Sequence, residues 1–490
     1  MYEHDSKRKL RLRLTFTYAV MILTTLGLVV VALFIALGYR YNQFDGRFEQ
    51  GGMIQFNSRP SGAEIQLDAV KLSNRTATRI TATAGNHAVM VSRDGYKPWQ
   101  KQATVKPGAV LWLNYVRLVP TDPKIETAAT YGSIASVMAS FDRSRFAVIE
   151  NDTQPTVTFS RVHDANVEHS SVTVPADKIT TPSAAGSSRF SLAGWDYANK
   201  RVLVLHTYDD SKTEYLLVSK DSGDPARNIS TEFGISIAEL QYDPTDSNIA
   251  YVLTTNHDIR RLNLSTSTLS GPLVTNASSL VVAYNGWIGY ATYPDASGIR
   301  TVGYVSKDKL TAKTVQTFTN MSGRSLSYTI ASYYNELYQL VVAGDSATVY
   351  HAELPGSDST DVIKSKTIAK LSLAKDVAFA GFSPREQRFV YIQNGRDIVT
   401  YDLELSSIAT VAPSAALNAK IGWLDDFHLL STADGTIEFM DYDGTNMQTL
   451  ARGASHAATL LAGNDKFFYY FTRDEAAGTV RLMRLSLTTE

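Results

Sequence analysis

Cysteine is absent from all 490 residues. No disulfide framework, thiolate metal site or cysteine nucleophile is therefore open to the chain, a composition that suits export to a compartment of any redox state. An excess of charge of either sign is missing too: 47 Lys and Arg stand against 48 Asp and Glu, a net −1. Without a basic footprint to neutralise phosphates, nucleic acid is excluded as a partner. Several signatures of chemistry are also missing: there is no Gly-x-Ser-x-Gly elbow, no His-Glu-x-x-His and no phosphate-binding glycine-rich loop. The expectation is a noncatalytic protein with no catalytic, cofactor-binding or metal-ligating residue.

Charge is wholly missing from one stretch, Leu14 to Tyr39. Fourteen of its residues are Leu, Ile, Val or Phe. About 20 apolar residues rising 1.5 Å each cover a hydrocarbon core of ~30 Å, so residues 14–39 are expected to cross a membrane. Lys7, Arg8, Lys9, Arg11 and Arg13 precede the span, and only Arg40 and Arg47 follow it closely. By the positive-inside rule the basic tail, residues 1–13, is cytoplasmic and everything after Tyr39 is outside. The apolar run exceeds the roughly 7–15 residues of a cleaved signal, and no good Ala-x-Ala site follows it. An uncleaved signal anchor in the cytoplasmic membrane is the reading.

Residues 40–52 read as a polar connector too short to fold, with Gly46, Gly51 and Gly52. From 53 to 120 the pattern is short alternating runs, at Met53 to Phe56, Glu64 to Leu67, Thr78 to Thr83, His87 to Ser92, Lys101 to Val105 and Val110 to Leu118. Such runs, separated by turn residues, predict a small β-sandwich. Pro60-Ser61-Gly62-Ala63, then Gly85 with His87, Val89 and Val91, then Gly95-Tyr96 occur in that order. In these motifs the segment resembles the PEGA family of bacterial surface domains, although Asn74-Arg75-Thr76-Ala77 stands where the family often has Gly-x-Thr-Pro. The resemblance implies a noncatalytic spacer or adhesion module in an envelope.

Val119-Pro120-Thr121-Asp122-Pro123 breaks any strand or helix and marks the next boundary. Beyond it an aromatic residue followed by a turn former recurs at Phe141-Asp142, Trp195-Asp196, Tyr242-Asp243, Tyr284-Asn285, Tyr334-Asn335 and Phe382-Ser383, with Trp423-Leu424-Asp425 a looser copy. Seven apolar runs follow these turns, and an eighth, Phe467–Phe471, comes without one; the first is Phe146–Ile149. A third strand with a polar residue among apolar neighbours comes after each, at Arg161, Ser219, Asn263, Ser306, Glu353, Asp402, Asp441 and Arg484. The mean spacing is about 46 residues, the period of a β-propeller, whose units bury their faces only by stacking round a ring. Phe382-Ser383-Pro384 and Asp441-Tyr442-Asp443-Gly444-Thr445-Asn446 resemble blades of the TolB-like and WD-repeat-like family. Residues 124–490 are thus expected to form eight blades, or seven if the irregular fifth copy or the eighth, which has no aromatic turn, is not one. The last copy has no fourth strand, so Ile125 to Thr130 is expected to close the ring by pairing with Val480 to Leu487.

Four groups invite a functional reading, and each has a plainer one. His163 and His169 could hold a metal but are expected to be solvated loop residues. Asp441-x-Asp443-Gly444-x-Asn446 falls short of a complete calcium loop: its glycine comes early and Arg452 stands where an EF-hand needs Glu, so a hairpin turn is expected. Asp209-Asp210 and Asp425-Asp426 could be acid and base for glycan cleavage, but adjacent carboxylates in turns are usually solvated. Most of the 26 tyrosines should pack between blades, while loop aromatics such as Tyr208, Tyr293 and those near Trp287 have no face assigned by sequence. The fold class is an all-β ectodomain, sandwich plus propeller, behind one transmembrane helix. Its expected work is to bind or scaffold an envelope protein or glycan. An envelope enzyme, a glycan lyase or hydrolase with its site in the propeller funnel, is the alternative.

Overall fold

The computed structural model describes residues 3–489 except 37–38, 43–46, 163–165, 184–185, 210, 221–222, 224–225, 308, 320, 322, 354–362, 374–376, 378, 395–396 and 412–419. One helix, Glu3–Ala36, opens the chain. Its stretch Arg13–Phe34 is long and apolar enough to cross a membrane, and the side chains of those residues are exposed. The expected span reached Tyr39, but that residue already belongs to a strand, Tyr39–Asn42.

The chain divides into two compact units, Met1–Asp122 and Pro123–Glu490. In the first, two four-stranded sheets make the sandwich. One sets Arg47–Arg59 between Thr78–Thr83 and Tyr39–Asn42, antiparallel to both, and also pairs it with Val110–Arg117 in parallel. The other runs Val70–Arg75, Glu64–Leu67, Gly85–Ser92, Trp99–Val105. Ile54, Phe56, Ile65, Val91 and Trp99 fill the space between, each 1% exposed or less. The connector reading of 40–52 is corrected here, because Tyr39–Asn42 and Arg47–Arg59 pair as neighbouring strands. A Cβ on Gly52 would lie 2.5 Å from Val105 Cγ1 and 2.6 Å from the Lys106 carbonyl, so its missing side chain lets that strand run on into the sandwich. Val70–Arg75 escaped the pattern reading because it is almost wholly exposed and has no buried face to alternate.

The PEGA-like motifs are turn locks. Thr76 accepts the Ala63 amide on its hydroxyl at 2.9 Å, meets Ser58 Oγ at 2.5 Å, and takes the Gly62 amide on its carbonyl at 2.7 Å. Pro60-Ser61-Gly62-Ala63 is therefore clasped by the middle turn. His87 is buried against Asp68, Nδ1 to Oδ2 at 2.6 Å, and the buried Tyr96 bridges to Pro120.

In the second unit the described residues form eight four-stranded antiparallel sheets in simple chain order. All eight expected runs fall on second strands, among them Arg145–Ile149, Ile288–Thr292 and Phe467–Asp474, with Trp287 and Phe427 one residue ahead of theirs. The eighth sheet borrows its outer strand from the start of the unit: Thr479–Ser486 pairs with Ile125–Tyr131, Val480 opposite Tyr131 and Leu485 opposite Ile125. The expected closure is borne out. Apolar clusters join each sheet to the next from the first to the seventh, and one joins eighth to first through Phe146, Val148, Tyr469, Phe471 and Leu482, with Phe146 and Phe471 edge to face at 5.0 Å. First strands of neighbouring sheets touch, as Ala277–Val282 touches Ile237–Asp243 and Leu326–Tyr333, so first strands are inner. A sheet sequence that returns to its own beginning is a β-propeller.

Candidate functional site

Because every sheet runs in the same order, all eight turns between first and second strands lie at one end of the ring. Their polar residues serve the turns themselves. Asp142 Oδ1 accepts the Ser144 amide at 3.1 Å, Asn285 Oδ1 that of Trp287 at 3.1 Å, and Asp196 accepts the amides of Lys200 and Arg201 while pairing with the Arg201 guanidinium at 3.0 Å. The aromatic partners divide. Trp195 and Tyr242 are buried between sheets, whereas Phe141 is 44% and Tyr334 80% exposed.

Several of these turns meet across the axis. Phe141 of the first sheet stacks on Tyr197 of the second at 4.4 Å and 7°, and Tyr197 meets Tyr284 of the fourth edge on at 5.8 Å. The Tyr284 hydroxyl bonds to the Arg385 backbone in the sixth sheet, and the Arg385 guanidinium donates to the Phe141 carbonyl at 3.3 Å. The Glu386 amide donates to Asp426 Oδ1 of the seventh sheet at 3.2 Å, and Arg143 pairs with Asp465 of the eighth at 3.5 Å. This end of the channel is bridged by an aromatic and polar plug with Phe141 partly bare.

Burial dominates the electrostatics of the plug. It pushes the Tyr197 hydroxyl up to about 12, aided by Tyr284 and Asp243. The Asp426 carboxyl rises to about 6, first through burial and then through Glu386 and Asp425, against the Glu386 amide and Arg385, which pull it down. A hydrophobic shelf with amide, guanidinium and carboxyl groups at its edge suits recognition of a flat apolar face with hydroxyls or amides beside it.

The residues singled out by sequence do not gather into one site. Asp425 accepts the Phe427 and His428 amides at 2.9 and 3.0 Å and the His428 ring at 2.7 Å, while Asp426 turns to Glu386, so the two neighbours act apart. Asp209 holds Ser183 and Lys212; Asp210 lies outside the described residues. His163 also lies outside them, and His169 is corrected from loop to strand, in Val167–Thr173 with Nδ1 3.0 Å from Ser160 Oγ. Asp441, Asp443 and Asn446 bond one another's turn, Asn446 Nδ2 to Asp441 Oδ2 at 3.0 Å and Thr445 Oγ1 to Asp443 Oδ1 at 2.6 Å, as a turn reading requires. That turn links Thr436–Asp441 to Gln448–Ala451 and is longer than a two-residue hairpin. Tyr208 stacks on His206, Tyr293 on His257 edge to face, and Trp287 on Tyr304. Among the described residues no three His, Asp or Glu side chains are grouped to hold a metal.

Sequence reasoning missed one region altogether. A cavity of about 410 Å³ flanks the second sheet, lined by Lys178, Thr180, Arg227, Asn228, Thr231 and Glu232 among others. Behind Thr180 and Asn228 sits the buried Glu214, which both of them reach. No linear signal marks it, since its partners come from separate strands.

The PEGA domain model matches residues 52–121. No curated protein matches the chain. Similar solved structures include the Cps50 (Swd1) β-propeller domain of Myceliophteria thermophila, at 11% identity over 74% of this chain and 100% of that one, TM-score 0.40. An oligogalacturonate lyase in complex with manganese matches at 10% identity over 60% and 88%, TM-score 0.39, and a eukaryotic initiation factor at 14% over 73% and 87%, TM-score 0.41. Similarities this distant carry no argument about function. The propeller rests on its own strand pairing, and the architecture is a PEGA-type sandwich followed by a propeller.

Proposed function

We propose that this chain is a single-pass scaffold of a bacterial cell envelope, N-terminus in the cytoplasm and both β units outside, whose propeller binds a protein or glycan partner. The observation that carries the reading is the plugged end of the ring: turns from six sheets are tied together there, and Phe141 is held against Tyr197 with part of its surface bare. A rigid ring that presents loop aromatics at low entropic cost is suited to recognition. Orientation rests on the five basic residues before the span against two soon after it. A glycan lyase or hydrolase in the funnel has less support, because Asp425 is engaged by its own turn and His428 and the channel end is bridged.

Two measurements test this. Protease added to intact cells should remove the C-terminal units, and protection that persists once any outer layer is permeabilised overturns the orientation. Full-length protein in native membranes should bind purified envelope glycans or cross-link to an envelope protein, and Phe141→Ala should weaken that binding by about 1–3 kcal/mol. Binding untouched by Phe141→Ala and Tyr197→Ala together overturns the plugged end as the site.

A further inference from the structure

The second sheet of the propeller carries a row of polar side chains that the binding reading does not use. Ser188 immediately precedes the inner strand Arg189–Trp195, His206 lies in Arg201–Tyr208, Glu214 in Lys212–Ser219, and Asn228 ends Ala226–Asn228. The register sets Phe190 opposite His206 and His206 opposite Glu214, so the row crosses the sheet near one level.

His206 Nδ1 lies 2.8 Å from Glu214 Oε1, and its Nε2 lies 2.9 Å from Ser188 Oγ. Phe190 and Tyr208 stack on the imidazole at 4.5 and 4.9 Å, with interplanar angles of 11° and 21°, and fix its plane. Glu214 accepts from the Thr180 amide at 2.9 Å, Thr180 Oγ1 at 2.5 Å and Asn228 Nδ2 at 2.8 Å. Burial pushes its carboxyl up, but the bonds from His206, Thr180 and Asn228 outweigh burial and hold it down at about 2. An ionised carboxylate only accepts, so Nδ1 carries the hydrogen, and in the neutral ring Nε2 turns a lone pair to the Ser188 hydroxyl. His206 and Glu214 are 0% and 2% exposed, while Ser188 is partly exposed, so the row reaches solvent at the serine.

We propose that Ser188, His206 and Glu214 form a serine-nucleophile triad that hydrolyses a carboxylic ester. The inference goes beyond the binding reading and shares no residue with the plugged end. It has the diagnostic geometry of an activated nucleophile: a hydroxyl on a base, and the base oriented by a third group. Nε2 takes the proton as Ser188 Oγ bonds to the ester carbon. The tetrahedral adduct expels the alkoxide, which receives that proton from Nε2, and acyl-Ser188 remains. Water then gives a proton to Nε2 as its oxygen attacks the acyl carbon, and Ser188 Oγ leaves and recovers that proton, releasing the acid. The Arg189 guanidinium, bonded to the Ser188 carbonyl at 2.8 Å and paired with Asp152 at 3.4 Å, puts a cation beside the serine that a developing oxyanion could share. An ester fits better than an amide because its alkoxide departs with less help from the buried His206. No Gly-x-Ser-x-Gly occurs because the serine enters an inner strand instead of a strand-to-helix turn.

The test is covalent labelling of the full-length protein by a fluorophosphonate probe, with hydrolysis of p-nitrophenyl acetate in parallel. Wild type should label at one site and Ser188→Ala should abolish labelling and lower the hydrolysis rate at least about 100-fold, with an unchanged melting temperature. His206→Gln should slow labelling by a similar factor. Because the chain has no cysteine, Ser188→Cys supplies a single thiol. It should react with iodoacetamide at pH 7 at least about tenfold faster than the thiol of Ser61→Cys, which keeps the proposal testable if His206→Gln does not fold. An unlabelled wild type, labelling that survives Ser188→Ala, or a thiol at 188 no faster than one at 61 overturns it.

Discussion

Two histidine–carboxylate pairs, one in each unit, share a bonding pattern through Nδ1 and little else. In the sandwich, His87 Nδ1 meets Asp68 at 2.6 Å, but the Asp68 side chain is half exposed. In the propeller, His206 Nδ1 meets Glu214 at 2.8 Å with both side chains closed off from solvent. Water can stand in for what Asp68 loses, so the pair's net worth is near that of a surface ion pair. Nothing stands in for the second. Burial sets what a polar contact is worth, and the same chemistry serves as a turn lock in one unit and a high-stakes network in the other.

Removing the buried acid gives the largest effect. Glu214→Ala should destabilise the propeller by about 3–5 kcal/mol in denaturant melts, because His206, Thr180 and Asn228 lose their shared acceptor. Since the Glu214 carboxyl sits below its ordinary 4.5 at about 2, the support it gives is present above pH 4.5 and fades as pH falls toward 2. The gap between Glu214→Gln and wild type should narrow over that window.

A buried hydroxyl in the sandwich should matter more than its ion pair. Thr76→Val leaves the Ala63 amide without its acceptor and should cost about 1–3 kcal/mol, read as a lower unfolding midpoint of the first unit. An outcome within error of wild type breaks the rule that burial decides.

Asp426 reverses the sign, being a largely covered acid whose neighbours Glu386 and Asp425 are also acids. Its folded value near 6 lies above the ordinary 3.8, so ionisation opposes folding and stability falls as pH climbs through 6. Asp426→Asn should therefore raise stability by about 1–3 kcal/mol at pH 7.5, with the gain gone by pH 4, as thermal melts at the two pH values would register.

The smallest effect is Asp68→Asn, about 0.2–1 kcal/mol and salt-sensitive. Burial lowers the His87 imidazole, yet Asp68 and the Thr83 carbonyl more than offset this and leave it raised above 6.5. Its contribution is complete below pH 6.5 and fades as pH rises through the raised value. Asp68, depressed below 3.8 by His87 and the Ala88 amide, contributes above that pH and loses its share on acidification. The variant should thus differ most from wild type between about pH 4 and 6.5, and a difference that grows at pH 9 overturns the assignment of the pair.

Much of the fold was legible because strands with one buried face betray themselves by alternation and recurrence. Glu64–Leu67 and Thr78–Thr83 fall where the pattern put them, and so do the eight second strands. Elements without a buried face were not legible, Val70–Arg75 above all, nor was the pairing of Tyr39–Asn42 with its neighbour across a stretch read as a connector. The aromatic turns were visible as a repeat, but their two fates were not: Trp195 is buried between sheets and Phe141 bridges the channel through identical local grammar.

By itself the sequence determined an apolar helix of membrane length, a sandwich locked by glycine and proline turns, and a repeat whose first strand completes its last sheet, because each is written in local spacing and side-chain period. Which side chains face one another was decided only in three dimensions. Arg385 reaches Phe141 across 244 residues, and Ser188, His206 and Glu214 align because the register of three antiparallel strands sets them side by side. Periodicity says which face of a strand turns inward; ring closure and strand register say what it finds there.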